Sequence, residues 1–329
     1  MAEVTIALRY DMRSPSWAAT PHEELYRTCI EQCAWVDANG VADIVSLSEH
    51  HGIDDGYLPA PLALAAAIAG ATKRLPITIA AALLPLHDPV RLAEEIAVIS
   101  LASGGRLSFV AGTGYKRSEF EMAGVPYRER AAMLEEFVEV MRNAWTGEPF
   151  EWRGRMVQVR PVPKTPPLIM GGGSGPKAAR RAARMRLPFF PGVGDPALKE
   201  AYEDECRAVG YQGFCLLPKG PGFLHITEDP DKAWEEIARY AWYDADTYRS
   251  WQEGTRAEVL TSAPDVDALR KEGIYRVVTP DECVALAEDL SPGGALVLHP
   301  LLCGMPAELG WESLHLFHEQ VLPRIRPTA

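Results

Sequence analysis

The feature that most restricts this chain is a rhythm. Short apolar runs alternate with longer amphipathic segments along nearly its whole length. That is the pattern of parallel strands joined by crossover helices. Residues 4–8 and 44–47 read as the first two strands. A helix over 21–39 lies between them, with Thr20 as N-cap, Pro21 in its first turn and Gly40 just past its end. Strands over 76–81 and 106–111 follow helices over 59–72 and 88–103. A long loop, 114–127, then leads to a helix over 128–145.

Residues 150–159 read as a hairpin turning at Arg153-Gly154. It falls between units, so it is expected on a rim, near 149–160. The fifth strand is 168–170 and the sixth 187–190, with helices 176–185 and 196–209 behind them. The seventh is either 214–217 or 223–226. Residues 229–251 read as a helix inside an enlarged connection near 219–275. The eighth strand is 295–299, and a helix over 311–321 closes the chain. Eight such units predict an α/β fold of (β/α)8 TIM-barrel type with rim insertions, one domain over 1–329. The competing open Rossmann sheet would want G-x-G-x-x-G after the first strand, and none stands there.

Composition narrows the function classes. A formal charge of −12 and pI near 5.2 disfavour nucleic acid or an anionic membrane as partner. No basic segment followed by an apolar core opens the sequence, and no apolar run approaches the roughly 20 residues of a membrane span. A cytoplasmic location is therefore expected. The six cysteines are scattered except Cys29 and Cys33, which share a helix face without a companion pair. They read as reduced thiols, and no metal site is expected.

In a barrel the chemistry gathers where strands end. After strand two stands Ser48-Glu49-His50-His51-Gly52. Imidazole titrates near neutrality, so one of these histidines facing the mouth can move protons, while a loop-bonding role is the plainer alternative. After strand three, the small residues Ala80, Ala81 and Ala82 let something broad and flat approach the backbone, or simply pack. After strand four, Gly112-Thr113-Gly114-Tyr115 is a glycine turn carrying an aromatic. After strand five comes Met170-Gly171-Gly172-Gly173-Ser174-Gly175-Pro176-Lys177. Converging backbone amides, the Ser174 hydroxyl, a helix start and the Lys177 charge suit a phosphate. A phosphosugar enzyme would meet these demands as well as a long phosphorylated cofactor.

These residues, in this order, resemble the luciferase-like monooxygenase family, and the likeness runs through most of residues 1–190. Ser48-Glu49-His50-His51 is similar to that family's Glu-His-His after strand two, and the resemblance implies that His50 is catalytic. Leu84-Pro85, Asp88-Pro89 and Arg91-Leu92-Ala93-Glu94-Glu95 look like its Leu-Pro…His-Pro-Val-Arg-x-Ala-Glu stretch, with Asp88 in the usual histidine's place and His87 one position earlier. The resemblance further implies a non-proline cis peptide at Ala80–Ala81 against a flavin ring. It implies cofactor contacts from Glu49, Thr113, Tyr115, Met170, Gly171 and Lys177, and a phosphate on Gly172-Gly173-Ser174.

The family holds FMN-dependent monooxygenases and coenzyme F420-dependent hydride-transfer enzymes. Glu49-His50-His51 looks more like the flavin branch. The resemblance therefore implies reduced FMN (FMNH2) with oxygen on a small organic substrate, the FMNH2 supplied by a separate flavin reductase, in a homo-oligomer. The alternatives are an F420-dependent reductase or dehydrogenase, and a flavin-binding protein without turnover. Met12, Arg13, His225 and His299 are expected at the substrate, with Trp242, Tyr243, Tyr248 and Trp251 of the enlarged connection as packing or lid.

Overall fold

A computed structural model describes residues 2–252 and 261–326. Its strands are β1 (Thr5–Tyr10), β2 (Ile44–Leu47), β3 (Ile77–Leu83), β4 (Leu107–Gly112), β5 (Phe150–Trp152), β6 (Arg155–Val157), β7 (Leu168–Gly171), β8 (Phe223–Ile226), β9 (Tyr275–Val278) and β10 (Ala295–Leu298). Two compact units are distinguishable. The first runs up to Ser46, takes in Ile53–Leu58 and resumes at Pro218; the second is Leu47–Gly52 with Pro59–Leu217.

In the first unit the strands lie in the order β2-β1-β10-β8-β9. β1 and β10 are parallel from Thr5↔Ala295 to Leu8↔Leu298, and β8 pairs β9 from Phe223↔Tyr275 to Ile226↔Val278. The core here gathers Phe223, Trp234, Ile237, Tyr275 and Leu302, all buried. In the second unit the order is β3-β4-β7, again parallel, while β5 and β6 form the expected antiparallel hairpin. Phe189, Leu198 and Tyr202 fill a core beneath the helices Pro176–Arg184 and Pro196–Ala208.

Local chemistry sets the element ends. Asp88 caps the helix Pro89–Ser103 by accepting from the Val90 and Arg91 amides, and Gly104 ends it in the left-handed region. Thr279 and Glu282 form a full capping box on the helix Pro280–Leu290. Thr20 is not a cap: its hydroxyl donates to the Met305 carbonyl, and Pro21 occupies the N-cap position of the helix His22–Asn39.

Three strand expectations need correction. Residues 187–190 hold only single-residue bridges at Phe189, to Gly171 and Cys215, because Pro188 removes an amide a ladder would need. Residues 214–217 are likewise reduced to that bridge at Cys215, so 223–226 is the true strand of the two alternatives. β9, Tyr275–Val278, went unread because it lies at the edge of the segment taken as an insertion. The helix expected over 229–251 is present as Pro230–Gln252.

Candidate active site

The second unit collects the residues expected at the cofactor. β3 and β4 pair regularly from Ile77↔Leu107 to Ala80↔Val110, then slip, so that Ala82 meets Ala111 and Ala81 is left over as a bulge. The Ala80–Ala81 peptide is cis. Both alanines are partly exposed, in a strand otherwise nearly buried. Across from them a Cβ on Gly112 would lie 2.8 Å from the Ala81 Cβ, so nothing larger than glycine fits there.

At the end of β7 the chain is equally tight. A Cβ on Gly172 would meet Val110 Cγ1 at 2.8 Å and the Ala111 carbonyl oxygen at 3.2 Å. Gly173 adopts φ +123, which only glycine enters easily. The Gly172 amide donates to Ala111, and no side chain caps the following helix, Pro176–Arg184. Gly173 and Lys177 are exposed and Ser174 is half-buried. The result is a backbone surface beside a helix N-terminus, the kind of place where a phosphate is accepted.

The histidine loop lies in the same unit. His50 Nδ1 is 2.7 Å from Glu119 Oε1, and both side chains are buried. A carboxylate there fixes the Nδ1–H tautomer and turns Nε2 into an acceptor. Nε2 faces the Tyr115 hydroxyl at 3.3 Å, with the two rings edge to face. Glu119 also accepts from the His51 amide at 3.0 Å. Glu119 was not singled out in the sequence, since it lies 69 positions from His50 in an unremarkable helix, Arg117–Ala123.

Glu49, expected at the cofactor, is bonded within its own loop and to the end of β3. Its Oε2 accepts from the Leu83 amide at 2.6 Å, and its Oε1 lies 2.6 Å from His87 Nε2 and 3.0 Å from His51 Nε2. Burial alone would raise its pKa, but the hydrogen bonds from His51, His87 and Leu83 and the positive field of His87 outweigh it and hold the acid at about 2. Thr113 and Met170 are half-buried at the ends of β4 and β7.

The residues expected at the substrate lie in the first unit. Arg13 is wholly buried and bonded to Asp55 at 2.8 Å and Asp244 at 2.7 Å. The rings of Tyr57, Tyr243, Tyr248 and Trp251 surround its guanidinium. Arg13 is therefore a charge-paired core residue, and only its Nη2 lacks a partner among the described residues. Met12 is buried at φ +60. His299 is buried 3.6 Å from Asp11, beyond hydrogen-bond reach, and burial pushes the pKa of His225 down to about 4. Asp11, Asp55 and Asp244 were not foreseen; the side chains they face, His299 and Arg13, are distant from them in sequence except for Arg13 beside Asp11.

Among the described residues, no helix is long and apolar enough to cross a membrane. The model of the luciferase-like monooxygenase family matches residues 14–293. The chain spans about half the length of the first curated relatives it matches, among them an uncharacterized protein of Sinorhizobium fredii, 30% identical over 47% of this chain and 46% of that one. An F420-dependent glucose-6-phosphate dehydrogenase of Amycolatopsis mediterranei is 27% identical over 88% of this chain and 90% of its own. Among solved structures, a monooxygenase from Streptomyces bottropensis has TM-score 0.76 at 23% identity, covering 97% of this chain and 99% of that one. The oxygenating constituent of the 3,6-diketocamphane monooxygenase of Pseudomonas putida, in complex with FMN, has TM-score 0.71 at 18% identity, covering 99% of each chain. The fold is the expected α/β type, a mostly parallel eight-stranded sheet with helices, like the TIM barrels of these neighbours. With its fold and the matched span taken together, the chain belongs to the luciferase-like monooxygenase family.

Proposed function

We propose that this chain is a flavin-dependent monooxygenase that uses reduced FMN and dioxygen on a small organic molecule. One observation carries the reading: a single compact unit joins the Ala80–Ala81 bulge, the glycine backbone at Gly172–Gly173 and the buried His50–Glu119 pair. The places where an added Cβ would collide are the places where a flat ring and a phosphate need bare backbone.

Ala80 and Ala81 would support the ring. Gly171, Gly172, Gly173 and Ser174 would hold the phosphate, with Lys177 adding charge and Thr113, Tyr115 and Met170 bordering the strand ends. When bound, the reduced flavin supplies the electrons that activate oxygen. Glu119 orients His50, so that Nε2 accepts or returns a proton on the Tyr115 side. Glu49 holds the loop that presents His50 and is a positioning residue rather than a flavin contact. Met12, His225 and His299 are assigned to the substrate, and Arg13 to supporting them. A separate reductase would deliver FMNH2.

The full-length likeness to an F420-dependent dehydrogenase favours a second reading, hydride transfer with F420 on the same residues. Titration of the apoprotein with FMN, FMNH2 and F420, followed by oxygen exposure, separates the two. FMNH2 binding with oxygen uptake is expected. Tight F420 binding without FMN affinity or oxygen uptake replaces the first reading by the second, and failure of all three ligands removes both.

A further inference from the structure

We infer that Glu49, His51 and His87 form a binding site for one divalent cation of the zinc class, separate from the proposed proton-transfer group His50. The three donor atoms, Glu49 Oε1, His51 Nε2 and His87 Nε2, all lie within 4.8 Å of one another. Glu49 Oε1 is 3.0 Å from the first imidazole nitrogen and 2.6 Å from the second. An ion bound at about 2.0–2.1 Å in tetrahedral geometry sets its donors about 3.3 Å apart. Glu49 Oε1 therefore needs to separate from each imidazole nitrogen by less than an ångström to admit one.

Donor type selects the ion. Two imidazoles and one carboxylate suit zinc, cobalt or nickel, whereas calcium and magnesium call for oxygen donors. The surroundings resemble those of a built site. Glu49 is buried and its second oxygen is fixed by the Leu83 amide, while the His51 amide is held by Glu119, so two of the ligands are oriented from behind. The imidazoles are reachable, at 18% and 27% side-chain exposure. A cavity of about 680 Å³ in the same unit is lined by Glu49 and His87, with Glu94 and Glu95 on its wall paired to Arg91. Three protein ligands leave a coordination position open for water or an anion.

The sequence hid this cluster, because His87 lies 38 positions from Glu49. A second group, Asp11, Asp244 and Cys303, is also close enough to share an ion. There the Arg13 guanidinium already neutralises Asp244, and burial pushes the Cys303 thiol up, against thiolate formation. The cation site is therefore assigned to the histidine loop, and a sulfur ligand distinguishes the two.

The test uses the whole chain, stripped with chelator, dialysed, and titrated with ZnCl2 and with CoCl2 in the absence of flavin. One ion per chain is expected, with visible cobalt absorption of low-coordinate type. X-ray absorption of the zinc-loaded protein should show imidazole and oxygen near ~2.0–2.1 Å and no sulfur near ~2.3 Å. His87→Gln keeps a donor for Glu49 but offers a poor ligand, so it should weaken binding roughly tenfold or more at an unchanged metal-free melting temperature. His315→Gln, at an exposed position in the other unit, should bind as the parent does. Absence of stoichiometric uptake, a sulfur shell, or parent-like affinity in His87→Gln each overturns the site.

Discussion

His50 and His299 are both buried histidines beside a carboxylate, one in each unit, and they are held differently. His50 is clamped by Glu119 at 2.7 Å, and the same carboxylate oxygen accepts a backbone amide. His299 stands 3.6 Å from Asp11, within ion-pair range, but its Nε2 and the Asp11 Oδ2 lack hydrogen-bond partners among the described residues. A clamped imidazole has one tautomer and one direction for its proton. An unclamped pair keeps unsatisfied capacity, which is costly in a buried place unless something else completes it. On the proposed reading, the difference suits His50 to proton transfer and leaves His299 available to a ligand.

The largest break in that comparison is His50→Ala. Loss of a general acid or base lowers turnover about 10²–10⁴-fold while cofactor affinity stays near that of the parent. Steady-state oxygen uptake with FMNH2 would show this, and unchanged turnover would strip His50 of its role. Next is Arg13→Leu in the first unit. It leaves Asp55 and Asp244 buried without their cation, which costs about 3–5 kcal/mol. Urea denaturation that finds less than ~1 kcal/mol would mean that water replaces the guanidinium.

Gly172→Ala probes the second unit at a smaller scale. Its Cβ would overlap Val110 and Ala111, for a cost of about 1–3 kcal/mol and a loss of FMN affinity. A stable variant that binds FMN normally would show that the backbone here carries no phosphate.

How much of this was legible in sequence follows from distance along the chain. Gly171–Gly173 with Ser174 and Pro176 announced itself, because a loop of consecutive glycines before a helix has one local explanation. The left-handed Gly40 that ends the helix His22–Asn39 was equally local. Glu119, Asp55 and Asp244 were not, since a lone acid in a helix or loop looks solvated until folding delivers its partner. For Arg13 the position after β1 was visible and its two carboxylates were not. β9 was lost because its alternation, Tyr275-Arg276-Val277-Val278, is too short to stand out beside a long connection.

His225 sharpens the comparison through pH. Its pKa is about 4 in the fold, caused by burial, against roughly 6.5 in the unfolded chain. The folded state thus resists a proton that the unfolded state accepts, so stability is complete above about pH 6.5 and falls as pH drops toward 4. At pH 5.5 the loss is roughly 1 kcal/mol. His225→Phe should flatten that part of the stability curve measured by denaturant titration between neutral and mildly acidic pH. An equal slope in parent and variant would assign the acid sensitivity elsewhere.

The smallest stability effect should come from His299→Leu. Because His299 Nε2 and Asp11 Oδ2 are not bonded to each other, removing the imidazole breaks no hydrogen bond between them, and Asp11 still accepts the Arg13 amide at 3.1 Å. The expected change is under about 1 kcal/mol, whereas His50→Leu, which strips the buried Glu119 of a partner, should cost about 1–3 kcal/mol. If His299 completes a substrate contact, KM rises in His299→Leu while the folded state barely notices. A destabilisation matching that of His50→Leu would mean that the two histidines are held alike in solution, and the contrast between a clamped and an unclamped imidazole would be lost.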